Sequence, residues 1–178
     1  GIVGESGCGK STLAISILRL LPPNARIVGG EILFKGRNIV DLPMEEILRI
    51  RWKGISMIFQ GAMNALNPVF RIKEIFQEVL QTHEQTSNDE ATQRMRNLFT
   101  LVGLTSDVAD RYPHELSGGM KQRVVIALSL LCNPELVIAD EPTTALDVVT
   151  QDQILMRIKE VQRRLNLSLI LISHDISI

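Results

Sequence analysis

Three observations predict an α/β fold with a mostly parallel sheet. A glycine-rich loop, Gly4-Glu5-Ser6-Gly7-Cys8-Gly9-Lys10-Ser11, lies between a short apolar segment and a longer apolar stretch. Two continuous apolar runs, Leu136–Ala139 and Leu169–Ile172, flank the helical stripe Ile154, Ile158, Val161 and Leu165, the pattern of a βαβ unit with buried parallel strands. A helical block over 71–132 interrupts the strand-like segments and reads as an insertion between two halves of one core, 1–70 and 133–178. With 178 residues the chain suits one domain.

Taken in order, Gly1–Val3 reads as the end of a buried strand, and Thr12–Leu21 as a helix that Pro22 and Pro23 stop. A strand bracketed by Gly30 and Gly36 follows, and Gly36-Arg37-Asn38 reads as a turn, so a small β region stands beside the main sheet. Pro43–Arg51 fits a short helix, and Ile55–Phe59 a strand that ends at Gln60. In the helical block, Ile72, Ile75, Phe76, Val79 and Leu80 share one face. Ser87 and Glu90 have capping-box spacing, and Ala91, Met95, Leu98 and Val102 continue on one face to Gly103. A third helix is predicted from about Ser117 to Leu131.

Composition narrows the function. The net charge is -1 and aromatics make up 4%, which argues against a nucleic-acid binder held by bulk charge or by stacking. Apolar residues at 45% are too many for disorder. Two cysteines, Cys8 and Cys132, make neither a disulfide framework nor a four-cysteine zinc site, so a reducing, intracellular setting is expected. Basic residues are in excess over 1–60 and acidic ones over 131–178, as an anionic ligand and a metal ion would favour. The apolar runs fall short of the roughly 18–20 residues that cross a bilayer. The chain starts on one motif and stops soon after another, and so reads as cut at both ends.

Gly4 to Ser11 matches G-x-x-x-x-G-K-[ST]. Glycines let successive N–H groups turn toward phosphate oxygens, and the next helix adds its positive end. Lys10 suits the β- and γ-phosphates and the Ser11 hydroxyl suits Mg²⁺. A simple strand-to-helix turn would leave Lys10 and Ser11 unexplained. Cys8 reads as a small loop residue, since a thiolate facing phosphates is disfavoured.

Far downstream, Leu136-Val137-Ile138-Ala139-Asp140-Glu141 is an apolar strand ending in two carboxylates. Strand ends in such sheets face the phosphate loop. Asp140 suits Mg²⁺, directly or through water, and Glu141 a general base for the attacking water. Either acid could instead cap the next segment. Ser117-Gly118-Gly119 opens a helix as a second anion-facing device, although a plain cap explains it when it stands alone.

Leu116-Ser117-Gly118-Gly119 followed by Gln122 resembles the signature of the ATP-binding cassette (ABC) ATPases. With Gly4–Ser11, Gln60, Ile138-Ala139-Asp140-Glu141-Pro142, Ala145-Leu146-Asp147 and His174, the resemblance covers nearly the whole chain. It implies a P-loop NTPase core with an inserted helical subdomain, and ATP and Mg²⁺ as cofactors. The implied nucleotide-binding residues are Gly4, Glu5, Ser6, Gly7, Cys8, Gly9, Lys10, Ser11 and Thr12, with Ser117, Gly118 and Gly119 reaching a partner's γ-phosphate. Ser11, Gln60 and Asp140 are the implied metal residues; Glu141, His174 and Gln60 are the implied catalytic ones. Asp147 would face the partner subunit, or cap the helix from Val148. His83 is expected to be solvated, and His114 to shape the loop ahead of the signature.

Segments 57–68, 112–124 and 139–147 look like the dipeptide/oligopeptide importer branch, which includes nickel and oligosaccharide transporters. Gly61-Ala62 departs from that branch, where an acidic residue and proline are common. The resemblance implies a motor subunit on the cytoplasmic face of the cell membrane. Its implied partners are a second ATPase subunit in a head-to-tail heterodimer, integral membrane permeases and, indirectly, an extracellular solute-binding protein. The competing readings are a soluble ABC ATPase acting on nucleic acid or the ribosome, and a nucleotide-gated regulatory module without hydrolysis. Near-neutral charge argues against the first, and Glu141 with His174 against the second.

Overall fold

The computed structural model describes residues 1–144 and 146–174. Ala145 of the Ala145-Leu146-Asp147 segment, and residues 175–178 of the second core half, lie outside the described residues. The chain opens with β1 (Ile2–Val3) and the glycine loop, then α1 (Lys10–Ile17). This helix ends well before Pro22, contrary to the expectation that the prolines stop it. Arg19 adopts a left-handed φ of 51°, and Leu20 N–H returns to Ile15 O at 2.8 Å. The Arg51 guanidinium then takes the freed carbonyls, with Nη2 2.8 Å from Leu18 O and 3.0 Å from Arg19 O. Helix ends leave such carbonyls without intrahelical donors, and a side chain distant in sequence supplies them here.

The expected strand between Gly30 and Gly36 is shorter than predicted and forms half of a hairpin. β2 (Leu33–Phe34) pairs antiparallel with β3 (Arg37–Asn38). The turn is Lys35-Gly36, with φ of 52° and 75°, so Arg37 and Asn38 belong to the return strand and not to the turn. Two positive-φ residues give the twist a tight hairpin needs. α2 (Met44–Ile50) follows Pro43, and β4 (Ile55–Ile58) stops one residue short of Phe59.

The helical block contains α3 (Ile72–Glu84), α4 (Asn88–Val102) and α5 (Gly118–Ser129). Ser87 caps α4 by accepting Glu90 N–H at 3.3 Å, and Gly103 closes it at φ 73°. β5 (Leu136–Asp140), α6 (Val148–Leu165) and β6 (Ser168–Ser173) complete the order.

The main sheet has the order β1-β6-β5-β4, with all its strands parallel. Period-two alternation divides its side chains between two cores. Ile55, Ile138 and Ile172 face Ala14 of α1, Leu18 just beyond it and Ile47 of α2. Ile58, Val137 and Ala139 face the other way, into one apolar cluster shared with α3, α4, α5 and α6. Phe76 and Phe99 meet edge to face there, with centroids 5.4 Å apart.

His83, expected in solvent, is half-buried, with its ring 5.5 Å from that of Trp52. Burial, reinforced by Lys53, lowers its pKa below the ordinary 6.5. The unfolded chain therefore binds the proton more readily, and the associated stability is present above pH 6.5 and lost as pH falls through the lowered value. We expect the urea midpoint to drop more between neutral pH and about pH 5 in the wild type than in His83→Gln. Equal drops in both would contradict this.

Candidate functional site

Parallel pairing sends the C-terminal ends of β1, β6, β5 and β4 to one edge of the sheet. The glycine loop follows β1, His174 follows β6, Asp140 and Glu141 end β5, and Gln60 lies just beyond β4. Four separate stretches of sequence thus deliver their polar groups to a common edge.

The loop geometry depends on its glycines. Gly7 and Gly9 sit at φ 83° and 99°, where a side chain is strained. At Gly4, an added Cβ would lie 2.8 Å from Cys8 Sγ. Lys10 is 7% exposed. Its ammonium donates to Gly4 O and Glu5 O, both at 2.8 Å, and lies 3.9 Å from Cys8 Sγ. A phosphate would compete with these neutral carbonyls for the ammonium, and charge favours the phosphate. Ser11 and Thr12 are exposed in the first turn of α1.

Asp140 is 2% exposed, and its Oδ1 is buried with no hydrogen-bond partner among the described residues. A buried carboxylate oxygen without a donor is costly unless a cation or water serves it. This orphan oxygen, with the Ser11 hydroxyl on the helix packed against β5, fits a magnesium ion, which takes few protein ligands and keeps water and phosphate for the rest. No cluster of three His, Cys, Asp or Glu among the described residues offers a site that would hold a metal unaided.

Glu141 is tightly constrained at this edge. Its φ is 46°, a left-handed value for a residue with a Cβ, which costs about 1–2 kcal/mol. Its N–H bonds to Ile172 O at 3.0 Å, carrying the β5–β6 ladder one step further. Oε2 accepts from Gln60 Nε2 and from Thr144 Oγ1, each at 3.0 Å. Oε1 lies 3.0 Å from His174 Nδ1. The structure therefore joins the three residues that the resemblance assigns to catalysis into one hydrogen-bonded cluster. Sequence reading did not single out Thr144; its only sequence signal is its place three residues after Glu141, the spacing of a turn.

The second glycine segment lies elsewhere. Ser117 caps α5, its Oγ accepting Met120 N–H at 3.3 Å. Ser117, Gly118 and Gly119 line an open cavity of ≈ 490 Å³ with Arg123, Asp147 and Thr150. Asp147 is both cap and wall: Oδ1 accepts Thr150 N–H at 3.0 Å and Oδ2 accepts Thr150 Oγ1 at 2.7 Å. These bonds, the hydroxyl's first, hold its carboxyl below the usual range. A Cβ on Gly119 would come within 2.9 Å of Thr150 Cγ2, so only glycine leaves α5 and α6 this close. Ahead of the signature, the His114 ring stacks on Tyr112 at 5.5 Å.

The sequence profile of the ABC transporter family matches residues 1–144, and the chain belongs to that family. It is 48% identical over 181 residues to a dipeptide transport ATP-binding protein of Bacillus subtilis, covering 99% of this chain and 54% of that protein. It is also 48% identical over 178 residues to an oligopeptide transport ATP-binding protein of Escherichia coli, covering 99% and 52%. The chain thus spans about half the length of these relatives. Its fold matches a solved ATP-binding cassette, dimeric in a post-hydrolysis state with ADP and Pi, at TM-score 0.83 and 31% identity, covering 99% of this chain and 74% of that one. A structure from Clostridium perfringens, part of an ABC transporter complex, matches at TM-score 0.81 and 30% identity, covering 98% and 66%.

The cysteines report on this architecture. Cys8 is exposed in the loop, whereas Cys132 is buried and burial pushes its thiol up to about 11. A disulfide reagent at neutral pH is expected to label Cys8 in the native protein and Cys132 only after denaturation. Cys8→Ser should abolish the native labelling; two thiols reacting at equal rates would contradict the burial of Cys132.

Proposed function

We propose that this chain is the ATP-hydrolysing motor portion of a prokaryotic ABC importer for di- or oligopeptides or related solutes. The observation that carries this reading is the grip of Gln60 and His174 on the Glu141 carboxylate, at the sheet edge that also holds the Lys10 loop and the orphan oxygen of Asp140. The peptide-transport relatives support the importer reading over a soluble ATPase acting on nucleic acid or the ribosome.

On this reading Gly4 to Thr12 hold the triphosphate, and Lys10 exchanges its two carbonyl partners for the β- and γ-phosphates. Ser11, Asp140 and Gln60 hold Mg²⁺, which neutralises phosphate charge when bound. Glu141 takes a proton from the attacking water as its oxygen bonds to the γ-phosphorus. The bridging bond to that phosphorus breaks, and ADP and inorganic phosphate leave. His174 holds the γ-phosphate and helps to orient the water. Residues 1–70 and 133–178 form the nucleotide-binding core, and 71–132 the helical part bearing the signature.

Ser117, Gly118, Gly119 and Asp147 complete a second subunit's site. Their cavity is lined by no residue of the 4–12 loop, which supports a head-to-tail dimer; the likeness to the peptide-importer branch is the ground for proposing two different ATPase subunits. Permeases dock on the Gln60 segment and the inserted helices, and a solute-binding protein acts through them from outside. No helix among the described residues is long and apolar enough to cross a membrane; the place proposed for the subunit, on the cytoplasmic face, follows from the permeases it would meet.

Glu141→Gln in the full-length protein should keep ATP binding and lower turnover by about 10²–10⁴-fold. Wild-type turnover in a phosphate-release assay would refute the base assignment. Lys10→Ala should weaken ATP binding itself in a direct titration; unchanged affinity would refute the loop assignment.

A further inference from the structure

The three polar partners of Glu141 are not equivalent. Gln60 is exposed, and the His174 side chain is 60% exposed against 14% for Glu141. Both arrive from the ends of other strands, and both have a second task at the nucleotide on the reading given above. Thr144 differs in each respect. It is half-buried, next to the buried Pro142 and Thr143, and belongs to the same turn as Glu141. Its own N–H bonds to Glu141 O at 3.2 Å, so backbone and side chain together fix the hydroxyl 3.0 Å from Oε2.

We propose that Thr144 is a positioning residue for the general base. Its hydroxyl pins Oε2 while Gln60 and His174 exchange partners, and this leaves Oε1 to accept the proton of the attacking water. The left-handed backbone of Glu141 gives such a clamp a task. The φ of 46° directs the side chain away from the ordinary path of the strand, and a long carboxylate with free rotamers would spend little time facing the water. A hydroxyl three residues on, in the turn that this same φ creates, restricts those rotamers without adding a charge. This proposal rests on the assignment of Glu141 as base.

The test is steady-state ATP hydrolysis by the full-length protein in its assembled transporter. Thr144→Val keeps the shape and removes the donor. It should lower kcat about 10-fold while KM for ATP stays within about twofold. Thr144→Ser keeps the donor and should retain kcat within about twofold of wild type. If the valine variant fails to fold, Thr144→Ala carries the same expectation. Wild-type kcat in the variants without the hydroxyl overturns the proposal, as does a serine variant as impaired as valine. Glu141→Gln measured in parallel separates the two assignments. Low turnover there with normal turnover in Thr144→Val removes only the role of Thr144. Normal turnover in Glu141→Gln removes the base assignment and this proposal with it.

Discussion

The parallel ladder between β5 and its two neighbours sets where the carboxylates, Gln60 and His174 lie. β5 pairs Ala139 with Ile58 on one side and Asp140 with Ile172 on the other. Gln60 therefore leaves β4, and His174 leaves β6, on the two flanks of Glu141. A slip of one residue would turn Asp140 toward the opposite face and exchange the two cores. The apolar alternation of Val137, Ile138 and Ala139 between the two clusters resists such a slip, because each of these side chains is almost fully buried. Burial of ordinary hydrocarbon thus fixes the position of the carboxylates.

Where the ladder ends, the backbone changes character. Asp140 is still a strand residue, held in the interior with an oxygen that no described residue serves. Glu141 turns left-handed and comes to the surface of the edge with its carboxylate fully engaged. Adjacent acids therefore have opposite environments: one is desolvated and short of a partner, the other is strained and well bonded. A buried oxygen without a donor suits a cation, and a bonded, partly exposed carboxylate suits proton transfer. The difference arises from one change in φ between neighbours.

Much of this was legible in the sequence because the signals are local. Glycines before Lys10-Ser11, an apolar run before two acids and a serine before two glycines each state their chemistry within a few residues. The parallel sheet followed from apolar runs separated by a helical stripe. What escaped depended on distant partners or on backbone twist. The early end of α1 requires Arg51 from across the fold. The sequence points to a turn at Gly36-Arg37-Asn38, one residue past the true start at Lys35, because lysine gives no sign of a positive φ. His83 is kept from solvent by Trp52, which sequence spacing does not reveal. Thr144 reads as an ordinary turn residue until the left-handed Glu141 aims a carboxylate at it.

The sheet edge that holds Glu141 and the signature segment lie in different places, yet the chain that follows Glu141 links them. From Glu141 the chain passes through Thr144 to Asp147, which Thr150 holds by backbone and hydroxyl. The methyl of the same Thr150 stands against Gly119 so closely that no side chain fits between them. Asp147, Thr150 and Gly119 are thus packed in one continuous contact, from the cap of α6 to the signature helix. On the proposed reading, the base belongs to one composite site and the signature to the other. A short covalent segment and one methyl-to-glycine contact then separate the base of one site from the signature that serves the other.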